Sequence, residues 1–246
     1  DDDCDGVIDD EAIGAGESCT IPGLLGACAD APPGDTLCTP LFDGVTFAGW
    51  TPLGDADFDI EMDEAGSPLI AGRAVYGIPN SFLRTDSVYG DFDLSLSFRV
   101  DSGFNSGVQI RSAVAQDTIR FERHQAGNGR VRKQVTLPGR VFGYQVEIDP
   151  TPRGWTGQIF DEAARGWLQT FSGDVQPRAI VPDAWHALRI RAVGDSVLTW
   201  LDGESVATLV DDRSSEGFIA LQVHAVSDAS HAGRTVRFRD LTLCEP

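Results

Sequence analysis

The chain has 246 residues, of which 38 are acidic and 19 basic, giving a formal net charge of −19 with Lys133 as the sole lysine. So acidic a chain repels phosphate backbones and anionic lipid, which excludes nucleic acid and membrane surfaces as partners and favours divalent cations or neutral ligands. No stretch approaches the roughly 18 consecutive apolar residues of a membrane helix, so no membrane insertion is expected, and the length allows one large β-domain plus a small appendage.

Residues 1–39 form the expected appendage, rich in Asp, Cys, Gly and Pro and poor in periodicity. The chain opens inside a run of aspartates rather than on a charged-then-apolar leader, which reads as a start removed by processing. Asp1, Asp3, Asp5, Gly6, Ile8 and Asp9 match most of a D-x-D-x-D-G-x-I calcium loop. Carboxylates at alternate positions converge on one hard cation, glycine permits the turn, and the Val7 carbonyl supplies a further oxygen. The loop departs from an EF-hand: position 12 is Ala12, Glu11 stands one residue early, and no flanking helix follows. It is similar to the aspartate-rich repeats of secreted bacterial proteins, which carry DCDGVID. A structural Ca²⁺ is the expected cofactor, and no organic one is expected; a solvated acidic tail is the alternative.

Cys4, Cys19, Cys28 and Cys38 crowd this segment, and Cys244 stands alone near the end. Without C-x-x-C pairs they suggest disulfides and an oxidising compartment, so the protein is expected to be secreted, periplasmic or on the cell surface. The odd count leaves one thiol free or paired outside the chain, in an intermolecular disulfide or an extracellular assembly. Connectivity stays open.

Residues 40–246 read as an antiparallel sandwich. Phe92, Leu94, Leu96, Phe98 and Val100 share one face against Asp93, Ser95, Ser97 and Arg99. Val108 and Ile110 oppose Gln109 and Arg111, and Tyr144, Val146 and Ile148 oppose Gln145, Glu147 and Asp149. Asp202-Gly203 is a two-residue hairpin turn between two strands. FIALQVHAV and RTVRFRDLTL supply two more strands. With no helical period and no internal repeat, the fold class is all-β.

From about Leu41 to Leu243 the chain resembles the 3-keto-disaccharide hydrolase domain family. The resemblance lies in LFDGVTFAGW, FLRTDSVYGDFDLSLSFRV, GFNSGVQIRS, GYQVEID, WTGQIFDEAARG and the closing segments from Asp183 and Gly217, all in the family's order. It implies a concanavalin A/LamG-like jelly-roll β-sandwich whose concave sheet binds carbohydrate, and cleavage of glycosides oxidised at the sugar's C3. The basic stretch 122–140 is longer than the family pattern and is expected to reshape the groove. The N-terminal cap is no part of that pattern.

A ketone at C3 acidifies the C2 proton, so a base can remove it and expel the C1 substituent by elimination, after which water adds back. That chemistry asks for a base, a donor or cation for the enolate oxygen, and an acid for the leaving group. Glu147 is the expected base, with Asp149 beside it raising its pKa. His224, alternating with Gln222 in FIALQVH, is expected to act as acid, base or enolate donor, or else to fill a structural niche. Gln109 and Arg111 read as a sugar-clamping pair, with Gln145 and Gln222 as further binding groups. Asn105 and Ser106 read as turn residues. Glu162 and Arg165 are expected to contact substrate, or to pair with each other. Trp155 or Trp167 stacks on a sugar ring unless Trp167 fills the core.

DIEMDE (residues 59–64) lacks the residue order of laminarinase-like hydrolases, so an ordinary retaining glycosidase is a weak reading. Three functions compete: an enzyme on 3-keto-glycosides, a non-catalytic carbohydrate-binding or adhesion module, and a structural component of an extracellular assembly. The expected ligand in the first two is an oligosaccharide or glycoside.

Overall fold

The computed structural model describes residues 37–124, 131–168 and 177–245. Its strands are β1 Leu37–Pro40, β2 Trp50–Leu53, β3 Asp57–Met62, β4 Pro68–Arg73, β5 Ser81–Thr85, β6 Phe92–Val100, β7 Ser106–Val114, β8 Ile119–His124 and β9 Val131–Thr136. They continue as β10 Val141–Ile148, β11 Ile159–Glu162, β12 Gly166–Trp167, β13 His186–Val193, β14 Ser196–Leu201, β15 Glu204–Val210, β16 Phe218–Val223 and β17 Thr235–Glu245. The calcium loop expected over Asp1, Asp3, Asp5, Val7 and Asp9 lies outside the described residues, as do Cys4, Cys19 and Cys28.

Two antiparallel sheets face each other. One runs β15-β14-β13-β6-β17-β4-β3, with β1 also on β17; the other runs β12-β11-β10-β7-β16-β5-β2. The all-β antiparallel sandwich expected from the alternation, with the jelly-roll form that the family resemblance implies, is therefore the observed fold. Period two drives it, because each strand sends every second side chain between the sheets. Phe92, Leu94, Leu96, Phe98 and Val100 of β6 are at most 3% exposed, and they meet Val108, Ile110, Tyr144, Val146 and Ile148 from β7 and β10. Trp50 also lies in this core, its indole N–H donating to the Leu41 carbonyl. Trp185 and Trp200 are half-buried beneath the guanidinium groups of Arg239 and Arg189. Asp202 and Gly203 both adopt positive φ, the pair of left-handed residues that a two-residue hairpin needs.

The long final strand is shared. Its first half pairs with β4, its second half with β1, and β6 runs along its other side. Cys38 and Cys244 are register partners on β1 and β17 and form a disulfide, so Cys244 is not solitary.

The basic stretch folds as a two-stranded ribbon, β8 with β9, in which the described strands pair only with each other. Its stem is tied to the β11–β12 turn by the Thr136 hydroxyl, which donates to the Ala163 carbonyl.

Candidate active site

The seven-stranded sheet carries the site on its outer face. On β10, alternation sends Tyr144, Val146 and Ile148 into the core and turns Gln145, Glu147 and the following Asp149 to a cavity of about 540 Å³. Gln222 reaches the same cavity from β16, His224 from just beyond that strand, Phe160 and Glu162 from β11, and Trp167 from β12. That volume falls within the roughly 300–1,000 Å³ typical of small-molecule sites.

A chain of amides holds Glu147. Gln109 and Gln222 each donate an amide N–H to Gln145 Oε1, at 2.8 and 2.7 Å. With two donors on that oxygen, the Gln145 amide can turn only its nitrogen to Glu147, and it donates to Oε2 at 3.0 Å. Asn105 Nδ2 donates to Oε1 at 2.6 Å, and an Arg153 guanidinium nitrogen lies 3.5 Å from the same oxygen. Gln109, Gln145, Gln222 and Glu147 are all at most 5% exposed.

The segment Asn105-Ser106-Gly107 does more than turn the chain, the only role expected of its first two residues. Asn105 holds the carboxylate, and the Ser106 hydroxyl donates to the Gln222 carbonyl at 2.7 Å. Gly107, opposite Glu147 in the β7–β10 register, leaves room for Gln145, whose amide carbon would lie 2.7 Å from any Cβ there.

Burial pushes the Glu147 carboxyl up to about 7, against the opposing pull of Asn105, Gln145 and Arg153. Asp149 adds only a smaller push, so desolvation rather than the neighbouring carboxylate is the main cause. Asp149 is itself engaged by Arg153 Nε at 2.8 Å and the Thr151 N–H at 3.0 Å. Gln222 Oε1 is buried with no hydrogen-bond partner among the described residues. Such an orphaned acceptor costs about 1–3 kcal/mol.

His224 Nδ1 lies 2.7 Å from the Ala225 carbonyl, an acceptor only, so this nitrogen carries the proton. Burial lowers the ring's pKa, against the opposing effect of that bond. The neutral ring therefore presents an unprotonated Nε2, which suits an acceptor or base and not an acid.

Four expected residues do not line the cavity. Arg111 has φ 43°, which breaks the strand alternation and takes its guanidinium away from Gln109. It binds the Gly90 and Gly194 carbonyls and Asp91, joining the two sheets at their edge instead of clamping a sugar. Arg165 pairs with Asp161 and Asp211, and Asp211 also accepts from the Tyr144 hydroxyl, so Arg165 neither pairs with Glu162 nor lines the cavity. Trp155 packs edge-on against Trp167 at 4.5 Å, beneath the Arg153 guanidinium at 4.2 Å, and supports the tryptophan that does line the cavity. Gln109, fully buried behind Gln145, positions that amide and does not line the cavity.

Sequence reasoning missed Arg153 and Phe160. Arg153 follows Asp149 by four residues, in a turn that returns it over the strand end; the D-P-T-P-R spacing was the available signal. Among the described residues, no group of three or more His, Cys, Asp or Glu side chains is arranged to hold a metal.

Solved structures share this fold at low identity. A candidate glycosyl hydrolase from Parabacteroides distasonis is 15% identical, with TM-score 0.50, covering 84% of this chain and 92% of its own. A protein described as a native glycosidic hydrolase is 10% identical, with TM-score 0.51, covering 86% and 95%. No curated protein matches the chain. The family model described as the 3-keto-alpha-glucoside-1,2-lyase-like domain matches residues 38–244, so this chain belongs to that carbohydrate-active family.

Proposed function

We propose that the cavity takes a glycoside oxidised at C3 and cleaves it by elimination and rehydration, with Glu147 as the base. The supporting observation is Glu147 itself: a nearly buried carboxylate, oriented by Asn105 and Gln145, with its pKa raised towards neutrality. A base so poised combines appreciable ionisation at neutral pH with the strength to take a proton next to a ketone. The steps place these side chains in turn. Glu147 removes the C2 proton, and the electron pair delocalises into the C3 carbonyl. Arg153 is the nearest cation for the enolate oxygen. Re-formation of the ketone expels the C1 oxygen, and the Glu147 proton exchanges with solvent as the leaving group departs. Water adds to the unsaturated sugar at C1 as Glu147 delivers a solvent-derived proton to C2. Phe160 and Trp167 wall the ring.

The raised pKa of the base sets the pH dependence. Because Glu147 works as the carboxylate, kcat/KM for a chromogenic 3-keto-glucoside should rise with pH through an apparent pKa near 7. A flat profile between pH 5 and 8, in an active enzyme, contradicts Glu147 as the base. The same aromatic wall equally suits a carbohydrate-binding module without turnover, and sugar binding with no cleavage would select that reading.

Export fits the Cys38–Cys244 disulfide, which persists in an oxidising compartment. We retain a structural Ca²⁺ at Asp1, Asp3, Asp5, Val7 and Asp9 as a proposal: chelation should lower the melting temperature of the calcium-loaded protein, and an unchanged temperature removes the ion.

A further inference from the structure

Glu162 has no task in the steps above, yet it sits between two cavities. It lines the main one, and its two partners line another of about 190 Å³. Asn80 Nδ2 donates to Glu162 Oε1 at 3.2 Å, and Arg140 lies 3.8 Å from the same oxygen. The second cavity is smaller than the roughly 300 Å³ at which small-molecule sites begin, so it suits an annex better than a site of its own. Leu53, Phe82 and Val141 give it an apolar floor; Phe82 and Val141 belong to a small cluster with Phe218 and Ala220, apart from the main core.

The register sets the two glutamates apart. Glu162 stands opposite Gly143, four residues before Glu147 on β10. Four residues of strand span about 13 Å. Both side chains reach into the same cavity from these positions. The two glutamates therefore line one cavity from adjacent strands, offset along them.

We propose that Glu162 is the general acid that protonates the departing glycosidic oxygen, and that the annex behind it receives the leaving group. This rests on the 3-keto-glycoside reading. The class of leaving group is one with an apolar face, a second pyranose ring or an aryl aglycone. As the ketone re-forms, the C1–O bond breaks and its electron pair stays on oxygen, which takes the Glu162 proton. Water then gives a proton to the Glu162 carboxylate and its hydroxide to C1, while Glu147, its proton exchanged with solvent, protonates C2, so the cycle balances.

The environment supports an acid. Burial raises the Glu162 pKa most, Arg140 and Asn80 pull it down, and Asp161 adds a smaller rise.

The test compares leaving groups. Glu162→Gln should lower kcat/KM for 3-keto-trehalose by roughly 10²–10³-fold, but that for a 2,4-dinitrophenyl 3-keto-glucoside by less than about fivefold, because the phenolate leaves without help. Equal losses on both substrates, or none on either, overturn the assignment. Arg140→Ala changes an exposed side chain and tests the same acid without disturbing the buried carboxyl. It should move the alkaline limb of the 3-keto-trehalose profile to higher pH and leave the dinitrophenyl profile in place; an unmoved limb contradicts the acid. Leu53→Trp fills the annex and should raise KM for 3-keto-trehalose about tenfold over that for methyl 3-keto-glucoside, on the order of one displaced ring contact. An unchanged ratio removes the annex. A wild-type protein inactive on every substrate defeats the underlying reading; an active one indifferent to these changes defeats this inference alone.

Discussion

Glu147→Gln is expected to lower kcat/KM on a 3-keto-glucoside by about a thousandfold while making the protein's stability less sensitive to pH. The first effect follows from losing the proton acceptor, since Asn105 and the ring-binding walls remain. The second follows from the direction in which burial moves the carboxyl. In the folded chain it titrates at about 7 against an ordinary 4.5, so between these values the folded chain holds a proton that the unfolded chain releases. Stability contributed by this group therefore falls as pH rises from 4.5 to 7. Above that window the buried charge destabilises by about 3 kcal/mol, since a tenfold change in proton affinity is worth about 1.4 kcal/mol. Glutamine cannot ionise. Relative to wild type, the variant should gain about that amount between pH 4.5 and pH 8, even if its amide nitrogen fits poorly against Gln145. Urea unfolding at the two pH values measures it, and parallel curves would mean the carboxyl is not buried as described.

Removing the Cys38–Cys244 disulfide should cost stability without costing catalysis. The two cysteines are 206 residues apart in sequence, so the bridge restrains nearly the whole unfolded chain. Chain entropy puts that restraint at about 5 kcal/mol, and measured losses fall at about 2–5. For a chain of this size the Cys38→Ser, Cys244→Ser double variant should melt roughly 10 °C lower. The bridge joins β1 to β17 in the sheet opposite the candidate site, so kcat/KM below the transition should stay within about twofold. An unchanged melting temperature would show that β1 pairing alone holds the terminus. Lost activity in the folded variant would show that the sheets communicate.

How much of this is legible in the sequence depends on whether the cause is local. Period two is local, so β6, β7 and β10 and the hairpin at Asp202-Gly203 are readable. So is the shared face of Gln145, Glu147 and Asp149, since no left-handed φ interrupts the alternation between Gln145 and Asp149. Arg111 departs from its expected place because a single left-handed φ interrupts the alternation, and nothing in R-S-A requires one. Arg165 departs because its partner Asp211 lies 46 residues away. Gln109 lies on the expected face, but its depth behind Gln145 depends on packing between strands. The same holds for Cys38 with Cys244, whose pairing is set by the register of the first and last strands.

The fate of hydrogen at C2 tests elimination most directly. Wild-type protein turning over 3-keto-trehalose in D₂O, sampled early against a control of free 3-keto-glucose, should place deuterium at C2 of the released keto sugar. Glu147→Gln should abolish both release and incorporation. Release of the keto sugar with C2 still carrying its original hydrogen would contradict elimination through Glu147, and with it the central reading of the cavity.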